Sequence, residues 1–134
     1  MFPPDEYQLL DFGGGRKLER FGPLILDRPC PAAERLARAD GAGWDRADAR
    51  FDRSDGKRGV WTSSGNLPPQ WTVRHGSITL ELKPTEFGHL GVFPEQATNW
   101  DWLADRLKND GRTPEVLNLF AYTGSFSVYA AAGG

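Results

Sequence analysis

The sequence predicts an α/β protein, and three observations carry that prediction. Short apolar runs cut by glycines and prolines fill residues 1–83, apolar residues at helical spacing follow between Pro94 and Lys108, and a strand, a turn and a helix occupy Glu115 to Ala132. A β-rich N-terminal region, residues 1–83, is therefore expected to lead into the start of an α/β region, residues 84–134.

Taken in order, Tyr7 to Asp11, Lys17 to Phe21 and Pro23 to Asp27 read as three short strands. Gly13-Gly14-Gly15 supplies a reversal, because glycine lacks the Cβ that opposes positive φ. The triplet also resembles a phosphate cradle, but no apolar helix follows it as a phosphate-binding loop requires. Between Ala32 and Arg58 acidic and basic residues interleave, as in Asp45 to Arg53, with few large apolar groups. That stretch reads as a solvated linker or surface turn, with a short helix at Ala32 to Ala39. Its alternating Asp residues cancel most of the field that an Arg-rich RNA contact would need. Next, Trp71 to Arg74 and Ser77 to Lys83 form a hairpin about a His75-Gly76 turn, since Ile78, Leu80 and Leu82 alternate with Thr79, Glu81 and Lys83. His75 is then a turn residue, and no second ligand at hairpin or helical spacing suggests a metal site.

Trp100, Leu103, Ala104 and Leu107 share one face of a helix over Pro94 to Lys108, which Asn109-Asp110-Gly111 and Pro114 close. Glu115 to Phe120 is a short strand of the buried type, Ala121 to Gly124 a turn, and Ser125 to Ala132 a helix capped by Ser125. A strand that turns tightly into a helix is the usual cofactor corner of an open α/β sheet, with backbone N–H groups at the helix start available to an anion. Only Gly124 stands there, so no G-x-G-x-x-G fingerprint is present, and geometry alone leaves a cofactor site and a structural turn both open.

Composition excludes several classes. Hydrophobic residues make up 39% and charged residues 25% of the 134, which is a globular balance rather than a disordered one. Sixteen Lys plus Arg against 18 Asp plus Glu give a net charge of −2, so no global basic field draws the chain to nucleic acid or to an acidic membrane. Any RNA contact has to be local. The single Cys30 can form neither an internal disulfide nor a thiolate metal site; lying between Pro29 and Pro31, it reads as packing rather than as a nucleophile. A cytoplasmic location is expected, and no stretch approaches the roughly 20 apolar residues of a membrane helix.

Val116 to Ser127 resembles the first cofactor-binding motif of class I S-adenosylmethionine-dependent methyltransferases, in the branch that contains bacterial large-subunit ribosomal RNA methyltransferases. Asn118 stands where most of the superfamily has an acidic residue, and Phe120 and Tyr122 where two glycines are usual; the Asn-x-Phe-x-Tyr-Thr-Gly form is characteristic of this branch. Phe87 to Trp100 is similar to the family's preceding segment, with Gly91, Phe93, Glu95, Gln96 and Asn99 keeping their places and Trp100 replacing a common basic residue. Tyr7 to Asp11 and Arg16 to Gly22 are similar to its N-terminal strands.

The resemblance implies a Rossmann-like domain that binds S-adenosyl-L-methionine and, when intact, methylates RNA. It implies that Asn118, Phe120, Tyr122, Thr123 and Gly124 wrap the methionine end of the cofactor and that Gln96 bonds it from the preceding helix start. Glu95 and Asn99 either keep a family role there or only cap the helix, since polar residues in a first helical turn satisfy free N–H groups in any case. His89, flanked by Gly88 and Gly91, faces either this site or solvent. The family continues beyond the first cofactor helix with the strands that bind ribose and position the acceptor. The sequence is therefore expected to be the N-terminal portion of a longer enzyme, inactive by itself, with its final helix loosely held. The rival readings are a non-catalytic β-rich binding module that docks partners through Trp44, Trp61, Trp71 and Trp100, and a different nucleotide-dependent enzyme such as an oxidoreductase.

Overall fold

Five strands form one mixed sheet in the order β1 (Tyr7–Gly13), β2 (Arg16–Phe21), β3 (Leu24–Pro29), β4 (Ala49–Arg53) and β5 (Gly59–Ser63). The computed structural model describes residues 1–39, 41–54, 58–109 and 114–133. All neighbours are antiparallel except β3 and β4, which run parallel with Leu26 opposite Ala49 and Asp27 opposite Arg50. The three expected N-terminal strands are present. Gly13, Gly14 and Gly15 all take positive φ and make the first reversal. Their amides are spoken for: Gly14 N–H donates to Leu36 O at 2.9 Å and Gly15 N–H to Ala33 O at 3.2 Å, which leaves nothing to cradle a phosphate. Ala32 to Ala39 is not the predicted helix. Only Pro31–Ala33 makes a single 3₁₀ turn, and the Ala33 and Leu36 carbonyls accept from the glycine loop.

The charge-rich stretch departs most from expectation. A short helix α1 (Gly41–Trp44) precedes β4, and β4 is an inner strand of the sheet rather than a solvated linker. Ala49 and Phe51 face inward while Arg50 and Asp52 face out, so the interleaved charges become ion pairs across strands. Arg16 Nε donates to Asp27 Oδ1 at 2.5 Å, Arg16 Nη1 to Asp52 Oδ1 at 3.0 Å, and Arg16 Nη2 to Phe51 O at 2.9 Å. Glycine is required at 59, where a Cβ would collide with the Asp52 carbonyl oxygen. Gly56, part of the same expected linker, lies outside the described residues.

Strands β6 (Trp71–His75) and β7 (Ile78–Leu82) form the predicted hairpin one residue out of step. His75 pairs with Ile78, so Gly76 and Ser77 make the turn and His75 is a strand residue, 3% exposed. The hairpin joins the large sheet through Trp71 Nε1–H donating to Phe21 O at 3.1 Å and Arg74 N–H donating to Glu6 Oε2 at 2.8 Å. One core runs through both sheets into the helices, with Phe21, Leu26, Val73, Leu82, Trp100 and Tyr129 at its centre.

A 3₁₀ turn at Pro94–Gln96 leads into α2 (Ala97–Lys108), whose buried residues include Trp100, Leu103 and Leu107. Asn109 caps its end; Asp110 and Gly111 of the expected stop lie outside the described residues. The last helix, α3 (Ser125–Gly133), packs on α2 and is not loosely held. Tyr129 stacks on Trp100 with centroids 4.8 Å apart, its hydroxyl donates to His75 O at 2.9 Å, and Gly133 lies so close to Ala104 that a Cβ there would sit 2.9 Å from Ala104 Cα. Ser125 is the first helical residue rather than the cap, and Gly124 O accepts from Val128 N–H at 3.0 Å.

The expected strand Glu115 to Phe120 does not form. Residues 114–118 adopt no regular structure and Leu119 sits at a bend, with no ladder, and Leu117, Leu119 and Phe120 are 82%, 74% and 92% exposed. A parallel strand of this apolar type is stable only between neighbours that cover both faces, and among the described residues none lies alongside. Phe120 N–H turns instead to the Asn118 side-chain oxygen at 3.3 Å.

The rival docking reading loses its surface. Trp44 and Trp100 are buried and Trp61 and Trp71 half-buried, each of the last two donating its indole N–H to a backbone carbonyl. No helix among the described residues is long and apolar enough to cross a membrane.

Candidate functional site

Two stretches far apart in sequence meet at one place. Thr123 Oγ1 donates to Gly91 O at 2.5 Å, and the Phe93 and Tyr122 rings lie 4.6 Å apart, so the segment before α2 is tied to the turn before α3. That turn is closed by Gly124 N–H donating to Ala121 O at 2.7 Å. It needs positive φ at two positions: Gly124 at +91° and Tyr122 at +50°, the latter being the one non-glycine with positive φ among the described residues. A tyrosine held there carries backbone strain, a feature that clusters at ligand sites.

Between these stretches lies a cavity of about 680 Å³. Gln96, Asn118, Phe120, Tyr122 and Thr123 all line it, so five of the six residues singled out from the sequence share one space, and Gly124 sits in the backbone between Thr123 and the lining residue Ser125. The volume lies in the usual range for small-molecule and cofactor sites, roughly 300–1,000 Å³. Phe93, Trp100 and Phe126 complete its apolar wall. Trp100 was legible as a helix core residue and Phe126 only as part of the Val116–Ser127 stretch, because their contribution to the wall depends on how α2 and α3 pack.

Two polar side chains have partners already. Asn118 Nδ2 donates to Ser127 Oγ at 3.0 Å and its oxygen accepts from Phe120 N–H, so Asn118 ties the segment before the turn to α3 and keeps one oxygen lone pair for a ligand. Asn99 Nδ2 donates to Gln96 Oε1 at 2.8 Å, which orients the Gln96 amide rather than capping the helix. The Gln96 NH₂ is then the group left to donate. His89 is exposed and stands with its ring 6.4 Å from Phe93 and 6.3 Å from Tyr122, at the outer side of the same aromatic cluster. Cys30 lies away from this site, its N–H bonded to Gly15 O at 2.7 Å. Among the described residues no group of His, Cys, Asp and Glu could hold a metal ion.

Beneath the site, Asp101 of α2 accepts from the Met1 ammonium and meets His75 Nε2, both at 2.6 Å. Burial pushes the Asp101 carboxyl up, but hydrogen bonds from the ammonium and from His75 outweigh it, and its pKa is lowered. Burial, followed by the Asp101 charge, holds the Tyr129 phenol far above its ordinary range, so it stays protonated as a donor to His75 O.

The mixed sheet, the hairpin and the two packed helices form an α/β fold that the chain shares with part of solved S-adenosylmethionine-dependent methyltransferases. Within that class the chain resembles ribosomal RNA large-subunit methyltransferases. It is 34% identical over 62 residues to ribosomal RNA large subunit methyltransferase K/L of Magnetococcus marinus, a match covering 46% of this chain and 8% of that protein. The crystal structure of a SAM-dependent methyltransferase from Agrobacterium tumefaciens superposes with a TM-score of 0.88 and 35% identity over 96% of this chain and 41% of that one. A candidate SAM-dependent methyltransferase from Streptococcus mutans shares the fold at a TM-score of 0.68 and 20% identity, over 97% of this chain and 36% of that one. A further candidate methyltransferase, solved in complex with SAH, gives a TM-score of 0.67 at 20% identity, again covering 97% and 36%. The chain thus spans well under half the length of these relatives. No family model matches it.

Proposed function

We propose that the chain forms the N-terminal part of an S-adenosylmethionine-dependent methyltransferase acting on RNA in the cytoplasm, and that its large cavity holds the amino-acid end of the cofactor. In this reading residues 1–83 are a β-rich N-terminal region and residues 84–134 begin the cofactor-binding domain. The observation that carries it is the joining of two separate motifs at one cavity by the Thr123–Gly91 hydrogen bond and the Phe93–Tyr122 contact.

The residues suit the group. A Cβ placed at Gly124 would meet nothing within 4 Å, so the space beside the turn is open to a ligand, and the free amides of the first turn of α3 favour a carboxylate there. Phe120 and Tyr122 offer aromatic faces to a sulfonium cation, the Gln96 amide donates, and Asn118 accepts without adding a charge. When bound, the cofactor supplies a methyl group whose C–S bond breaks with its electron pair left on sulfur while the acceptor forms the new bond. The protein's share of that chemistry is alignment and exclusion of water. The RNA acceptor follows the name of the Magnetococcus relative, and an RNA acceptor is what supports the cytoplasmic reading.

Calorimetric titration of the chain with S-adenosylhomocysteine tests the site. Asn118→Ala combined with Gly124→Val is expected to weaken binding at least tenfold, by loss of an acceptor and by a side chain at φ +91°. Binding undisturbed by the double substitution rejects the assignment.

A further inference from the structure

Strand β6 brings one histidine against both helices that wall the large cavity. His75 is buried, and its Nε2 meets Asp101 Oδ1 of α2 at 2.6 Å. Its ring centroid stands 6.0 Å from that of Trp100 on α2, 5.7 Å from that of Tyr129 on α3 and 4.7 Å from that of Phe2. Its carbonyl oxygen accepts from the Tyr129 hydroxyl, and the Tyr129 ring stacks on Trp100. Trp100 is a wall of the cavity, and Gln96, about one turn earlier, lines the same space.

The imidazole is incompletely bonded. Among the described residues, His75 Nδ1 is the one buried side-chain nitrogen or oxygen without a hydrogen-bond partner. The ring proton is thereby located. Asp101 is ionised, its carboxyl held below the ordinary range, and can only accept, so Nε2 carries the proton shared with Oδ1. Nδ1 is left bare in a setting of aromatic rings. A second N–H there would be a buried donor without an acceptor, which folded proteins rarely keep. The pull of Asp101 on such a proton is shared, because its Oδ2 already takes the Met1 ammonium. Of the other groups around the ring, the Tyr129 phenol stays protonated, Ile78 on β7 brings no charge, and Arg74 is exposed on the opposite face of β6.

We propose that His75 is a positioning residue for the cofactor cavity: with a single ring proton, on Nε2, it clamps Trp100 and α3 in place, and a second proton at Nδ1 loosens the clamp and weakens cofactor binding. The proposal rests on the cofactor reading above. A doubly protonated ring has to turn or admit water to satisfy Nδ1, and Phe2, Trp100 and Tyr129 are what it displaces. By linkage, a bound cofactor opposes that protonation as strongly as the protonation opposes the cofactor.

The test combines NMR of the histidine and tryptophan rings with calorimetric titration. Long-range proton–nitrogen spectra of the wild type at neutral pH are expected to show Nε2 protonated and Nδ1 bare. Lowering the pH from about 7 to about 5.5, where imidazoles commonly gain a proton, is expected to shift the Trp100 indole signal and to weaken S-adenosylhomocysteine binding about fivefold. Both effects are expected to persist in His89→Gln, which removes the other histidine of the chain. Both are expected to vanish in His75→Gln, which keeps an N–H donor for Asp101 but takes up no proton. A merely structural role would weaken binding in that variant and leave its pH dependence in place. The wild type and His89→Gln decide the matter even where His75→Gln does not fold. An Nδ1-protonated ring at neutral pH, a Trp100 signal or an affinity indifferent to pH, or a pH dependence lost in His89→Gln or kept in His75→Gln each overturns the positioning role. Absence of S-adenosylhomocysteine binding at every pH strikes the cofactor reading instead, and the ring tautomer and the Trp100 shift then decide by themselves whether the clamp exists.

Discussion

Strand β4 of the five-stranded sheet and the stretch from Pro114 to Ala121 behave opposite to what their compositions suggest. Strand β4 is Ala-Arg-Phe-Asp-Arg, poor in apolar residues, yet it is an inner strand with Phe51 fully buried. The later stretch, Val-Leu-Asn-Leu-Phe, is far more apolar, and it stands in the open without a ladder. What separates them is the neighbour. Partners on both sides take up the backbone groups of β4, and Arg16 and Asp27 pair with its Asp52 and Arg50, whereas none of the described residues offers the later stretch an edge.

That contrast can be broken at its strongest point by Glu19→Ala. It leaves Arg28 buried with its charge unpaired, and an expected loss of about 3–5 kcal/mol should appear as a lower midpoint in denaturant unfolding. A loss below about 1 kcal/mol would mean the ion cluster is not what secures the sheet. Tyr129→Phe removes the hydroxyl that anchors α3 to the hairpin and should cost about 0.5–1.5 kcal/mol in the same measurement.

A smaller effect, and one that depends on pH, is expected of Asp101→Asn. Because the carboxyl's folded pKa lies below its ordinary 3.8, its contribution is fully present above that range and disappears as pH falls through the lowered value. Wild type and variant should therefore differ in melting temperature at neutral pH and converge in strong acid. Asp101 is nearly half exposed, so the difference at neutral pH stays modest. Leu119→Ser sharpens the comparison from the other side. The residue is 74% exposed, and the substitution should change stability by no more than about 0.5 kcal/mol.

Much of the site was legible because it depends on local chemistry. The Ala121 to Gly124 turn follows from its residues, and the helical face of Trp100, Leu103 and Leu107 follows from spacing. The interleaved charges around Arg50 misled because charge pattern reports polarity and not pairing. Cross-strand partners such as Asp27 lie more than twenty residues away. His75 was misplaced by a one-residue shift of register, which in a strand exchanges the two faces and turns a surface residue into a buried one.

By itself the sequence determined the elements with strong periodicity, the turns that need glycine, and the two motifs whose residues now line one cavity; short-range sterics and side-chain spacing decide these. Only the tertiary structure decided that β4 is a strand and Glu115 to Phe120 is not, that α3 is held by Trp100 and His75, and that the two motifs touch through Thr123 and Gly91. Hydrogen-bond partners for a strand, and counter-charges for a buried ion, come from residues distant in the chain, and no local pattern records where those residues lie.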